Sequence, residues 1–78
     1  MNRTVAIVVF PGVQSLDVTG PLDVFAEANR FLSAEDHYRL EVIGVEHGPM
    51  ACSNGLILNA HRHFSEAPDA CDLLLVAG

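Results

Sequence analysis

The stretch VVFPGVQSLDVTGPLDVF, residues 8–25, contains the first group that could do chemistry, the carboxylate of Asp17. It lies between Leu16 and Val18, a few residues past an apolar run. Open α/β sheets build their sites at that place, beyond the carboxyl end of a strand. A carboxylate in apolar surroundings is partly desolvated, which suits it to hold or pass a proton as a general acid or base. The same residue has a plainer use: accepting backbone N–H groups from Thr19 or Gly20 and helping to cap a helix. Local sequence leaves both open.

Other candidates are weaker. Gly12 and Gly20 flank Asp17, but neither a G-x-G-x-x-G nor a G-x-x-x-x-G-K-[ST] pattern is present, so they read as turn glycines and no cofactor is expected. His61 and His63, with Glu66 nearby, would put two imidazoles on one side of an extended segment. A third ligand at a telling spacing is missing, so solvated loop histidines are expected and no metal. His37 and His47 read as surface residues at element ends, and Ser53 and Asn54 as turn formers. Cys52 and Cys71 have neither the density nor the spacing of a disulfide framework or zinc site. Each is expected to act as a small, partly buried hydrophobe.

These groups need elements to position them. The 78 residues suffice for one domain at most, and half are hydrophobic while 18% are charged, which favours a buried core over disorder. A formal net charge of −6 argues against a surface that neutralises phosphates, so this segment is not a DNA-reading module. No apolar run approaches the about 20 residues of a membrane span. The start MNRTVAIVVFPG lacks the make-up of an export signal, and a cytoplasmic protein making no membrane contact is expected.

TVAIVVF, residues 4–10, is the short apolar run of a strand buried on both faces of a parallel sheet, ended by Pro11-Gly12. Thr19 or Gly20 can cap the next element, Pro21 suits a first helical position, and Leu22, Phe25, Ala28 and Leu32 recur at helical spacing. A helix over residues 21–32 is predicted. YRLEVIGVE then reads as a second strand, and MACSNGLILNA as a small hairpin about Asn54-Gly55. HRHFSEAPDA is a polar connection with room for one helical turn, and CDLLLVAG closes with a buried, parallel-type strand. Such a strand is normally followed by a loop and helix, so an incomplete domain is expected.

VAIVVFPGVQSLDVTGPLDVFAEANR, then YRLEVIGVEHGPMACSNGLILNA and DLLLVAG, together resemble the amino-terminal part of the DJ-1/PfpI superfamily, the class I glutamine amidotransferase-like fold. The likeness runs from Val5 to the last residue. FPG followed by LD and GP, the SNGL turn and the DLLLVAG strand carry it in this order, and FAEANR, residues 25–30, resembles the AraC-type (GlxA-like) transcriptional regulators more than the stand-alone enzymes.

That resemblance implies an α/β fold, a flavodoxin-like or Rossmann-like parallel sheet sandwiched by helices, with residues 1–78 forming the amino-terminal part of one DJ-1/PfpI-type domain. It implies the ligand-sensing and dimerisation domain of an AraC-family regulator, binding a small-molecule effector near Gly12, Asp17 and Gly20. A homodimer is expected, with DNA bound only through a helix-turn-helix region not present here. The alternative is an enzyme similar to isonitrile hydratase, a hydratase or amidase in which Asp17 assists a cysteine on a strand-to-helix elbow. That cysteine would lie beyond Gly78, and neither Cys52 nor Cys71 matches its place. The regulator is the first expectation.

Overall fold

The computed structural model describes residues 2–67 and 69–78; Met1 and Pro68, the latter in the expected polar connection, lie outside the described residues. Four strands form one parallel sheet: β1 (Arg3–Val9), β2 (Tyr38–Gly44), β5 (Arg62–His63) and β6 (Leu73–Val76). Their order is β5-β2-β1-β6, so the strand order reverses between β1 and β6. The Val/Ile run expected to be buried on both faces becomes the inner strand β1, paired in register with Tyr38–Gly44 on one side and with residues 73–76 on the other. A two-stranded antiparallel hairpin, β3 (Met50–Ala51) and β4 (Ile57–Leu58), stands apart from the sheet.

The helix differs from expectation. It spans Ser15–Asn29 (α1), beginning six residues earlier than the helical spacing indicates and ending three residues sooner, with Pro21 in its interior. Tertiary anchoring overrides the Pro signal at the start. Val18 is 1% exposed in the core, Gln14 N–H donates to Gly78 O at 3.3 Å, and the hairpin turn holds the residues just before the helix. Pro21 has no N–H, so the Asp17 carbonyl four residues earlier loses its helical donor there.

At the other end Asn29 stops the helix by turning to the sheet. Its Oδ1 accepts the Tyr38 N–H at 2.7 Å and its Nδ2 donates to the Tyr38 carbonyl at 3.0 Å, so one side chain satisfies both backbone groups of the first residue of β2. Nearby, the Phe25 ring meets Tyr38 edge-on at 4.9 Å, which pins the helix to the strand. Asn29→Ala should lower stability by about 1–3 kcal/mol, because it strands a donor and an acceptor at once. A shift in the urea midpoint at constant slope measures this, and an unchanged midpoint would mean that water replaces the amide.

α1 packs on one sheet face, where Ile7, Val9, Val13, Val18, Val42, Met50, Cys52 and Ala77 form the core. A short helical turn η1 (Ala34–Asp36) leads into β2, and the other face is crossed by the β5–β6 connection, whose single helical turn η2 (Phe64–Glu66) is the one that the polar segment has room for. Leu74 and Val76 remain 58% and 70% exposed. The predicted strand at CDLLLVAG is thus parallel as expected but shorter and less buried, and Cys71 before it is exposed whereas Cys52 is buried.

Candidate site at the carboxyl ends of the strands

β1 ends at Val9, and the chain must turn there to reach α1. Gly12 makes this turn at φ +86°, a conformation that L side chains rarely adopt, and its N–H donates to Ala51 O at 2.8 Å. The hairpin is thereby laid over the β1–α1 connection. Ser53 N–H donates to Val13 O at 2.9 Å, and Asn54 Nδ2 donates to Ser15 Oγ at 3.0 Å. Asn54 is itself oriented, since its Oδ1 accepts the Leu56 N–H at 3.0 Å. The hairpin loop, residues 52–56, closes with Cys52 N–H donating to Leu56 O and Gly55 N–H to Cys52 O. Of the predicted Asn-Gly pair only Gly55 takes a positive φ, so this is a turn ending in one left-handed residue rather than a two-residue hairpin.

Asp17 lies in the first turn of α1, not in a loop, and its side is exposed rather than enclosed by Leu16 and Val18. Leu16 points away from the core at 74% exposure while Val18 turns inward. The desolvation expected of this carboxylate is therefore absent, and so is the loop cap through Thr19 or Gly20, since both follow it within the helix. The first helical turn is a favourable place for an acid facing the positive end of the helix dipole.

What the fold does give Asp17 is a direction. A Cβ built on Gly78 would stand 3.7 Å from Asp17 Oδ2, so the carboxylate faces the carboxyl end of β6. This is also the point where the sheet reverses its order, the crevice in which open α/β sheets bind ligands. Just before Asp17 in the chain, the β1–α1 connection carries the hairpin through Gly12, Val13 and Ser15, and Gln14 N–H donates to Gly78 O. Of the three expected ligand residues, Gly12 makes the turn after β1 and Asp17 faces Gly78, while Gly20 lies in the second turn of α1 and neither opens the helix nor turns the chain. Asn54 reads in sequence as a turn former and Ser15 as part of the stretch before the predicted helix, and the bond between them has no signature in sequence.

The other candidates fall elsewhere. Cys52 is 5% exposed within the core, and Cys71 is at the amino-terminal side of β6, the opposite end from Asp17. His61 precedes β5 and His63 is its second residue, so neither is the loop histidine expected, and among the described residues no group of three His, Cys, Asp or Glu could hold a metal ion. No helix among the described residues is long and apolar enough to cross a membrane.

Solved structures share this architecture. DJ-1 from Toxoplasma gondii, in its oxidised form, superposes over 97% of this chain and 38% of its own at a TM-score of 0.81, with 17% identity. A ThiJ/PfpI family protein from Pseudomonas syringae covers the whole chain with 29% of its own, at a TM-score of 0.83 and 19% identity. The chain has the DJ-1/PfpI fold. An AraC family transcriptional regulator from Pseudomonas putida carries the DJ-1/PfpI fold too, matching 97% of this chain and 46% of its own at a TM-score of 0.80 and 22% identity. In sequence, an uncharacterised protein in the cpoL 5′ region of Streptomyces lividans is 38% identical over 74 residues, 95% of this chain and 50% of that one. No family model matches the sequence. The chain therefore spans half of that relative and less than half of each of these DJ-1/PfpI-fold structures.

Proposed function

We propose that this chain is the amino-terminal ligand-sensing part of a transcriptional regulator of the AraC type, taking a small polar effector in the crease at Asp17. The observation that carries the reading is the Asp17 carboxylate turned toward the carboxyl end of β6, while both thiols lie elsewhere. Such a group orients a small molecule through hydrogen bonds. The likeness to the Pseudomonas putida regulator supports the same assignment. DNA binding and dimerisation would then belong to the complete regulator in the cytoplasm.

A second reading has one observation in its favour. Asp17 Oδ2 faces the residue after which a nucleophile elbow would follow in a longer enzyme of this fold, so Asp17 would assist a cysteine supplied there.

The test is a thermal-shift screen of the chain against a panel of small amines, amides and amino acids, paired with Asp17→Asn. A compound that stabilises the parent chain should lose about 10- to 100-fold in affinity in the variant, the effect of removing one charge-assisted hydrogen bond. Equal affinities would remove Asp17 from the site. Turnover of an isonitrile or amide by the corresponding longer protein, abolished by Asp17→Asn, would favour the enzyme instead.

A further inference from the structure

A polar hollow opens at the carboxyl ends of β2 and β5, the side on which open α/β sheets bind ligands. Its volume of about 120 Å³ is the share of about four waters, and Gly12, Asp17 and Gly78 are not among its walls. The lining comes from the link after β2 (Glu46, His47), the link before β5 (Asn59) and β5 itself (Arg62, His63).

β5 is short, but its place is fixed. Val42 N–H donates to His61 Nδ1 at 2.8 Å and His61 N–H donates to Val42 O at 2.9 Å, so the imidazole supplies an acceptor that a carbonyl would supply in a longer ladder. On the next residue, Arg62 Nε stands 3.1 Å from Oε2 of Glu41, a carboxylate only 6% exposed on β2. The guanidinium is thereby held at its inner nitrogen. Its two terminal nitrogens enter no hydrogen bond or ion pair among the described residues, and they form the fork that grips a carboxylate with two parallel bonds.

The remaining walls are equally uncommitted. His63 Nδ1 accepts the Ser65 N–H at 3.2 Å, which leaves the proton of the neutral ring on Nε2 as a donor. The ring is stacked on His47, with centroids 3.7 Å apart and planes 16° from parallel. The Asn59 amide and the Glu46 carboxylate make no hydrogen bond or ion pair among the described residues. Arg62 and Glu46 therefore present opposite, unspent charges to one small space.

We infer that this hollow binds a small amino acid as its zwitterion, the carboxylate on the terminal nitrogens of Arg62 and the ammonium toward Glu46. A simple anion would gain Arg62 but meet repulsion from Glu46, and a simple cation would meet the reverse. Only a molecule carrying both charges a short distance apart satisfies both walls. The volume admits little more than the charged backbone of such a molecule, so a long side chain must point to solvent. This site is separate from the effector site proposed at Asp17 and does not rest on it.

Titration of the full chain with glycine, acetate and methylamine at low salt, followed by amide shifts in NMR, tests the assignment. Glycine should move the Glu46, Asn59 and His63 amides saturably, with acetate and methylamine weaker by about fivefold, the upper value for an exposed charge pair. Arg62→Lys keeps a charge beside Glu41 but gives up the fork, and should weaken glycine by about tenfold or more. Because that change can also loosen β5, Glu46→Gln, at an exposed and unpaired side chain, serves as the second variant. It should remove the preference for glycine over acetate. Equal affinities of glycine and acetate in the parent chain, or no saturable shift at these amides, would overturn the site. Movement of the Asp17 and Gly78 amides in their place would put the amino acid at the other end of the β1 connection and overturn it as well.

Discussion

Ile7→Ala is expected to leave a large fraction of the chain unfolded in water at room temperature. Ile7 is 0% exposed at the middle of β1, in register with Val42 on one side and Leu75 on the other, so no solvent or neighbouring strand end can collapse into the space it leaves. Truncating a buried isoleucine to alanine costs about 2–5 kcal/mol. A chain of this size has a total stability of only about 4–12 kcal/mol, and small domains fall at the low end. The far-UV circular dichroism melt should move down by tens of degrees or lose its transition, while Ile7→Val should cost about 1 kcal/mol. A melt within a few degrees of the parent for Ile7→Ala would place the centre of the core elsewhere.

The second large effect is expected at Gly44, where the physics is crowding instead of a void. A Cβ there would stand 2.9 Å from Met50 Cε, 3.1 Å from Ala60 Cβ and 3.1 Å from the Glu46 carbonyl oxygen. The methionine tip can move, but the backbone oxygen and the alanine cannot move as easily. Gly44→Val should therefore cost about 3 kcal/mol, near the upper range for overpacked sites. Met50 opens the hairpin that delivers Ser53 and Asn54 to the candidate site, so pushing it aside should loosen both hydrogen bonds to the β1–α1 connection. Denaturant midpoints give the first effect, and amide shifts of Ser53 and Asn54 the second. Met50→Ala in the same chain should restore part of the loss, since it removes the nearest obstruction, and a strictly additive pair would refute the proposed clash.

Much of the scaffold is legible in the residues themselves. β1, β2 and β6 each carry a continuous or alternating apolar run bounded by Pro-Gly, charged or Gly residues, and buried parallel strands need little more than that. The hairpin is legible through Asn54-Gly55, even though Gly55 alone takes the left-handed conformation. The helix start is not. Pro21 and Gly20 are strong local punctuation, and what outweighs them is a set of contacts from residues more than thirty positions away, such as the Asn54–Ser15 hydrogen bond. β5 is hidden for a related reason, because two polar residues become a strand only when His61 lends its ring to the ladder.

The candidate site follows the same division. The place of Asp17 past β1 can be read from the order of elements, and so can its nearness to a strand end. Its exposure cannot, because the apolar neighbours Leu16 and Val18 diverge once the segment is helical and only one of them turns inward.

The inner position of β1 also constrains the order of events in time. This strand is made before the others described, yet one of its two partners, β6, lies about seventy residues later, and Thr4 N–H waits for the carboxylate of Asp72. Closing so long a loop is slow and entropically costly, so the nascent chain can assemble β1, α1 and β2 early but must carry an apolar strand edge until Leu73–Val76 is made. During that interval the molecule is most exposed to mispairing with other chains, and its yield in a cell should depend on synthesis rate and chaperone supply more than on the strength of its finished core.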